Sequence, residues 1–117
     1  LDFAASKGIH VETKAMERDI QGVSLGGKIL LDPSAGTKTL IHEIAHELMH
    51  RGEDRPLSAC TRELEAESVA YVVGKHFGLE GLSSPNYNAL NGATAEKIME
   101  HLERVRDTAA EIIRSLE

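Results

Sequence analysis

Apolar residues recur at helical spacing in three stretches of the chain. In residues 34–51 they are three or four positions apart: Leu40, Ile41, Ile44, Ala45 and Leu48. Residues 62–77 repeat this spacing with Ala66, Val69, Ala70, Val73 and Phe77. A glycine, which commonly ends a helix, follows each stretch directly. The spacing therefore predicts two amphipathic helices, each with one buried face.

The third stretch runs from Thr94 to the end of the chain and alternates spacings of four and three: Ile98, Leu102, Val105, Ala109, Ile112 and Leu116. It predicts a long amphipathic helix. Packing on the same domain is favoured over a coiled coil, because three heptads barely sustain one. Residues 80–93 are rich in Gly, Ser and Asn and predict a loop with a short helical turn near residues 86–90.

The N-terminal part of the chain has strand-like patterns. Residues 9–15 alternate apolar and polar positions, and residues 28–32 form the short β-type run KILLD before Pro33. We predict a hairpin or small sheet from them, and residues 1–7 fit the end of a helix. The predicted fold class is α+β, in which a small sheet of two or three strands packs with three or more helices.

The chain length fits a single domain covering residues 1–117. The chain starts at Leu1 rather than at Met, and we expect it to be a piece of a longer protein. Its net charge of −6, with no dense run of Lys or Arg, disfavours direct nucleic-acid binding. No apolar run approaches the ~20 residues that span a bilayer. The lone Cys60 cannot form an internal disulfide and favours a cytoplasmic location.

The first predicted helix contains the sequence HEIAH, residues 42–46. His42 and His46 are one turn apart on one face, so both imidazoles can bind one tetrahedral Zn²⁺. Glu43 follows His42 by about 100° of rotation and can reach a water on that metal, as in HExxH metallohydrolases. We predict the two histidines as zinc ligands and Glu43 as the general base that takes the proton of the attacking water.

A catalytic zinc needs a third protein ligand. His50 lies about 12 Å from His42 along the helix axis and is excluded, so we expect it to act only as a favourable charge at the helix end. The second helix begins with RELEAE, where Glu63 and Glu67 share one face and Glu65 points away. We predict Glu63 as the third ligand and Glu67 as the acceptor of a ligand histidine's N–H, while the reverse assignment stays open.

The segment TLIHEIAHELMHR, followed by TRELEAESVAYVVGKHFGL, resembles the ImmA/IrrE family of zinc metallopeptidases and the related peptidase domain of ArdC-type antirestriction proteins. The resemblance is close over the middle third of the chain and looser over KILLD and SSPNYNAL. It implies a zincin-like minimal metallopeptidase domain, with zinc held in the gluzincin manner by His42, His46 and a glutamate of RELEAE. It also implies Glu43 as the general base. The start of the chain departs from the family, whose members usually have more residues before the first strand.

The resemblance implies a zinc-dependent endopeptidase that cuts a specific cytoplasmic protein, such as a DNA-binding repressor. The alternatives are a metal-stabilised interaction module of an antirestriction or toxin-like protein, which binds without cutting, and a metal-free helical domain. Tyr71 is our first candidate for the oxyanion donor, followed by Tyr87 and His76. Residues 28–32 are a candidate strand for pairing with an extended peptide substrate.

Overall fold

The computed structural model describes residues 2–51, 58–82, 84–85, 87–90 and 92–116. Over these residues the fold is α+β, as predicted, with a three-stranded sheet packed against helices. The helices are α1 (Asp2–Ser6), α2 (Thr37–His50), α3 (Ala59–His76) and α4 (Ala95–Leu116), with a 3₁₀ turn at Tyr87–Leu90. The strands are β1 (His10–Thr13), β2 (Gly22–Ser24) and β3 (Lys28–Leu31). Some positions used in the sequence predictions lie outside the described residues: Leu1, Gly52, which follows the first helical stretch, Ser83, Asn86 and Asn91 of the predicted loop, and the last residue, Glu117.

The sheet has the order β1-β3-β2, so β3 is its central strand. β1 pairs with β3 in parallel, with Val11 opposite Ile29, whereas β2 pairs with β3 in antiparallel, with Val23 opposite Leu30. The hairpin is therefore formed by β2 and β3. Gly26 in its turn has a φ of 76°, a conformation that favours glycine.

This topology corrects the expectation that residues 28–32 pair with a peptide substrate. Both edges of β3 are already hydrogen-bonded to its neighbours. The outer edges of the sheet belong to β1 and β2. The short apolar run identified a strand but not its position in the sheet, because strand order depends on contacts between distant residues.

The three long helices bury the faces that the spacing predicts, with some exceptions. Buried apolar residues of α2, α3 and α4 join Ile29 of the sheet in one core: Ile41, Ile44, Ala45, Ala66, Val69, Ala70, Val73, Val105, Ala109 and Ile112. Phe77 is exposed because it follows the last residue of α3. Leu102 and Leu116 are also exposed, so α4 packs on the domain through the middle of its stripe.

No helix in the described ranges is long and apolar enough to cross a membrane. Cys60 is exposed near the start of α3. The side chain of Ser58 accepts a hydrogen bond from the backbone N–H of Thr61 at 3.1 Å and caps α3. This cap stabilises the first turn of α3, which directly precedes Glu63.

Candidate metal centre

Two histidines of α2 and one glutamate of α3 converge at the contact between the helices. Oε1 of Glu63 lies 2.9 Å from Nε2 of His46, and its Oε2 lies 3.1 Å from Nε2 of His42. One potential ligand atom from each of the three residues lies within 4.8 Å of the others. Tetrahedral zinc bonds of about 2.1 Å separate neighbouring ligand atoms by about 3.4 Å. The three side chains therefore fit a zinc ion after small adjustments.

The two imidazoles are largely buried, whereas the carboxylate lies at the rim. The side chains of His42 and His46 are 12% and 15% exposed, and that of Glu63 is 61% exposed. Burial lowers the pKa of His46, and the neighbouring His42 lowers it further, against the opposing effect of Glu63. His46 is therefore held toward its neutral form, which is the form that binds a metal.

Glu67 lies behind His42, on the side away from Glu63. Its Oε1 is 2.7 Å from Nδ1 of His42, and its Oε2 is 3.7 Å from Nζ of Lys38. The distance between Glu67 and His42 is short enough for a hydrogen bond, but the ring nitrogen of His42 and the carboxylate are not aligned for one. A small rotation of the ring or the carboxylate would align the pair. Glu63 thus lies at the Nε2 atoms of both histidines, and Glu67 lies at the opposite nitrogen of His42.

Glu43 is buried beside the histidines and lines a cleft of about 520 Å³. Burial raises the pKa of its carboxyl group, and the negative charges of Glu63 and Glu47 raise it further, while His42 opposes them. Its carboxylate is therefore a stronger base than an ordinary glutamate. Residues of β2 form one wall of the cleft.

Glu47 is a further buried glutamate of α2, to which the sequence pattern assigned no role. It accepts hydrogen bonds from Ser24 Oγ and from the backbone N–H groups of Gly26, at 3.0 Å, and Gly27. Burial alone would raise its pKa, but these bonds and the charge of Arg51 lower it overall. Glu47 therefore ties the β2–β3 turn to the histidine helix. In the sequence, only its position one helical turn after Glu43 indicated that Glu47 faces the same side of α2.

The free edge of β2 lies on the side away from β3, and the strand passes beside Glu43. Hydrogen bonds of 2.8 Å from Leu25 N to Lys28 O and from Asp32 N to Gln21 O fix its register on β3. Because bonded and non-bonded pairs alternate along an antiparallel ladder, the N–H and C=O groups of Gly22 point away from β3. A Cβ at Gly22 would lie 3.2 Å from Cγ of Glu43, so the strand passes close to α2.

His50 and Glu65 take part in a second buried network, which corrects the expectation for His50. Its ring is buried rather than facing solvent: Nδ1 lies 2.9 Å from Nδ1 of His46, and Nε2 lies 2.8 Å from Oε1 of Glu65. The other oxygen of Glu65 is 2.6 Å from Nδ1 of His101 on α4. Glu65 does point away from Glu63, as its helical position predicts, but into the interior. His101 was missed because it is 36 residues away in sequence.

The structure does not bring the predicted oxyanion donors to the cleft. Tyr71 and Tyr87 line a different, largely apolar pocket between α3 and α4. Tyr71 is eight positions after Glu63, which turns it about 80° around the helix, and Nζ of Lys75 lies over its ring. His76 is exposed in the last turn of α3. Two cationic side chains that line the cleft instead are Arg51 and Arg62.

Comparison with curated proteins identifies one relative. The chain is 34% identical over 82 residues to uncharacterized protein pXO2-81 of Bacillus anthracis, and the match covers 66% of this chain and 14% of that protein. A much longer chain thus contains a similar segment. No family model matches the chain, and no solved structure matches it.

Proposed function

We propose that this domain is a zinc-dependent endopeptidase that hydrolyses a peptide bond in a specific cytoplasmic protein. The observation that carries the proposal is the convergence of His42, His46 and Glu63 beside a cleft that Glu43 also lines. The resemblance to ImmA/IrrE metallopeptidases supports a regulatory target such as a DNA-binding repressor. The lone, exposed cysteine supports a reducing compartment.

Two imidazoles and one carboxylate are a donor set of zinc hydrolases, and they leave room for a water or substrate. When bound, zinc would act as a Lewis acid and lower the pKa of a bound water to about 7. Glu43 takes a proton from the attacking water and later delivers it to the leaving amine. Its raised pKa suits both transfers, because the carboxylate is a better base and its protonated form persists at a higher pH.

The outer edge of β2 offers a binding site for the substrate backbone. An extended peptide pairing with this edge would lie along the cleft, beside Glu43 and His46. The backbone groups of Gly22 face that side, and no side chain at this position blocks the approach. Arg51 and Arg62 line the same cleft together with three glutamates, so its charge alone favours neither acidic nor basic substrates.

The substitution Glu43→Gln tests the proposal most directly. Zinc-loaded wild type and variant are incubated with a cytoplasmic lysate, and newly formed protein N-termini are quantified by mass spectrometry. Wild type should generate a small set of new N-termini that the variant does not, while both bind one zinc. Glu12→Gln, on exposed β1, serves as a control and should cleave as wild type does. The same new N-termini with wild type and Glu43→Gln would contradict the enzymatic assignment.

A metal-stabilised interaction module is the second candidate function. It is favoured by the position of Tyr71 and Tyr87, which face another pocket and leave no described tyrosine in the cleft. In that case zinc would raise the melting temperature of the domain, and neither wild type nor Glu43→Gln would cut any protein. The lysate experiment therefore separates the two functions.

A further inference from the structure

A continuous series of side chains leads from His46, a proposed zinc ligand, to α4. Nδ1 of His46 lies 2.9 Å from Nδ1 of His50, and Nε2 of His50 lies 2.8 Å from Oε1 of Glu65. Oε2 of Glu65 then meets Nδ1 of His101 at 2.6 Å. The side chain of Glu65 is 1% exposed and that of His50 is 7% exposed. These contacts therefore form inside the protein, where hydrogen bonds are weakly screened.

The contact between two ring nitrogens restricts where the protons lie. One nitrogen must donate and the other must accept, since two lone pairs or two N–H groups would repel each other. When Nε2 of His46 binds a metal, the neutral ring carries its proton on Nδ1, which must donate. Nδ1 of neutral His50 can accept only if its own proton is on Nε2. Oε1 of Glu65 is placed to accept that proton.

We propose that Glu65, acting through His50, fixes the proton of His46 on Nδ1 and so leaves Nε2 of His46 as a lone pair for the metal. This inference rests on the proposed zinc site. Glu65 and His50 are then positioning residues rather than ligands. They would do for His46, across one additional ring, what Glu67, 2.7 Å from Nδ1 of His42, is placed to do for that histidine. The ring of His101 donates to the second oxygen of Glu65 and satisfies part of that buried carboxylate.

A competing contact explains why an anchoring carboxylate is needed. Glu63 lies 2.9 Å from Nε2 of His46 and, without a metal, attracts a proton to the nitrogen that must bind it. The two carboxylates thus favour opposite proton positions in the pair formed by His46 and His50. Glu63 is 61% exposed and screened by water, whereas Glu65 is buried, so the interaction with Glu65 is the stronger one.

Nitrogen-15 NMR of the zinc-loaded chain tests the inference without any variant. Long-range ¹H–¹⁵N correlations report which ring nitrogen of each histidine carries the proton. We expect the proton of His46 on Nδ1 and that of His50 on Nε2. A proton on Nδ1 of His50 would overturn the inference. Zinc-bound protein with the expected protons that cleaves nothing would contradict the peptidase proposal alone, whereas failure to bind zinc would overturn both.

Zinc affinity of matched variants provides the second measurement. Glu65→Gln removes the anchor, and we expect zinc to bind about 10–100-fold more weakly, as is typical when a residue that orients a metal ligand is lost. Glu47→Gln is the control, because it also removes a buried carboxylate near α2 but has no described contact with a ligand histidine. We expect a smaller effect, which measures the loss of a buried carboxylate that contacts neither ligand histidine. Equal losses in the two variants would contradict a specific role for Glu65.

Discussion

Nε2 of His46 lies 2.9 Å from Oε1 of Glu63, although the two residues are 17 positions apart and belong to different helices. The short side chains of Ala45, Ala66 and Ala70 are fully buried in the core that α2 and α3 share. Short side chains allow helix axes to approach closely. The candidate centre is therefore built on two packed helices rather than on a loop, which gives its donors fixed positions.

The two glutamates that face the histidines should differ in their effect on zinc. Glu63→Ala removes a proposed ligand, so we expect the variant to lose stoichiometric zinc during gel filtration. Glu67→Ala removes only the carboxylate behind His42, and zinc should stay bound with an affinity about 10–100-fold lower. Elemental analysis and competition with a chromophoric chelator measure the two quantities. Full zinc retention by Glu63→Ala, with loss by Glu67→Ala, would reverse the two roles.

The helices of this fold could be predicted because they depend on the spacing of apolar residues that are close in sequence. The apolar residues Ile41, Ile44 and Ala45 of α2 are buried as their spacing predicts. The same helical geometry excluded His50 as a partner of His42 on one metal ion. Helix α4 was also predicted, and its Val105 is buried against the domain.

Features that depend on distant contacts could not be predicted. β2 has only three residues and begins with Gly22, so it offered no alternation to detect. The buried position of Glu65 depends on His101, which α4 brings to it. The sequence predicted that Glu65 points away from Glu63, but it did not indicate whether the side chain faces solvent or the protein interior. Tyr71 was a poor candidate for a similar reason, since its pocket is formed only when α4 packs on α3.

Glu47 should make stability depend on pH in the acidic range. Its folded-state pKa is lowered from the ordinary 4.5, so its stabilising effect is present above about pH 4.5. The effect is lost as the pH falls through the lowered folded pKa. We expect Glu47→Gln to reduce the free energy of unfolding by about 1–3 kcal/mol at pH 7 and by less as the medium is acidified. Urea unfolding at several pH values measures this, and a difference that grows toward low pH would contradict it.

Gly22 should be needed for the approach of β2 to the histidine helix. A Cβ there would lie 3.0 Å from Cγ2 of Thr39 and 3.2 Å from Cγ of Glu43. Gly22→Val should therefore displace Glu43 and reduce cleavage by at least about tenfold, with stability lowered by about 1–3 kcal/mol. Gly36→Ala is the control, since its Cβ would meet no atom within 4 Å. Similar cleavage by the two variants would show that β2 does not position the general base.

Two apolar residues of α4 should differ sharply in their contribution to stability. Ile112 is 1% exposed, whereas Leu116, which belongs to the same predicted stripe, is 50% exposed. We expect Ile112→Ala to lower the free energy of unfolding by about 2–5 kcal/mol and Leu116→Ala by less than about 1 kcal/mol. Chemical denaturation of both variants tests this. A large loss for Leu116→Ala would mean that the whole stripe is covered in solution.

The buried carboxylate of Glu43 should reduce the stability of the metal-free fold at neutral pH. Burial raises its folded-state pKa above the ordinary 4.5, so the folded state favours the protonated form. That stabilising contribution is complete below about pH 4.5 and is lost as the pH rises through the raised pKa. Glu43→Gln stays neutral, so at pH 7 the metal-free variant should melt about 2–5 °C above wild type. The difference should shrink on acidification, and scanning calorimetry of both proteins at pH 4 and pH 7 measures it. A variant less stable than wild type at pH 7 would mean that the Glu43 carboxylate is well satisfied without a metal, and that no stability is given up for its function.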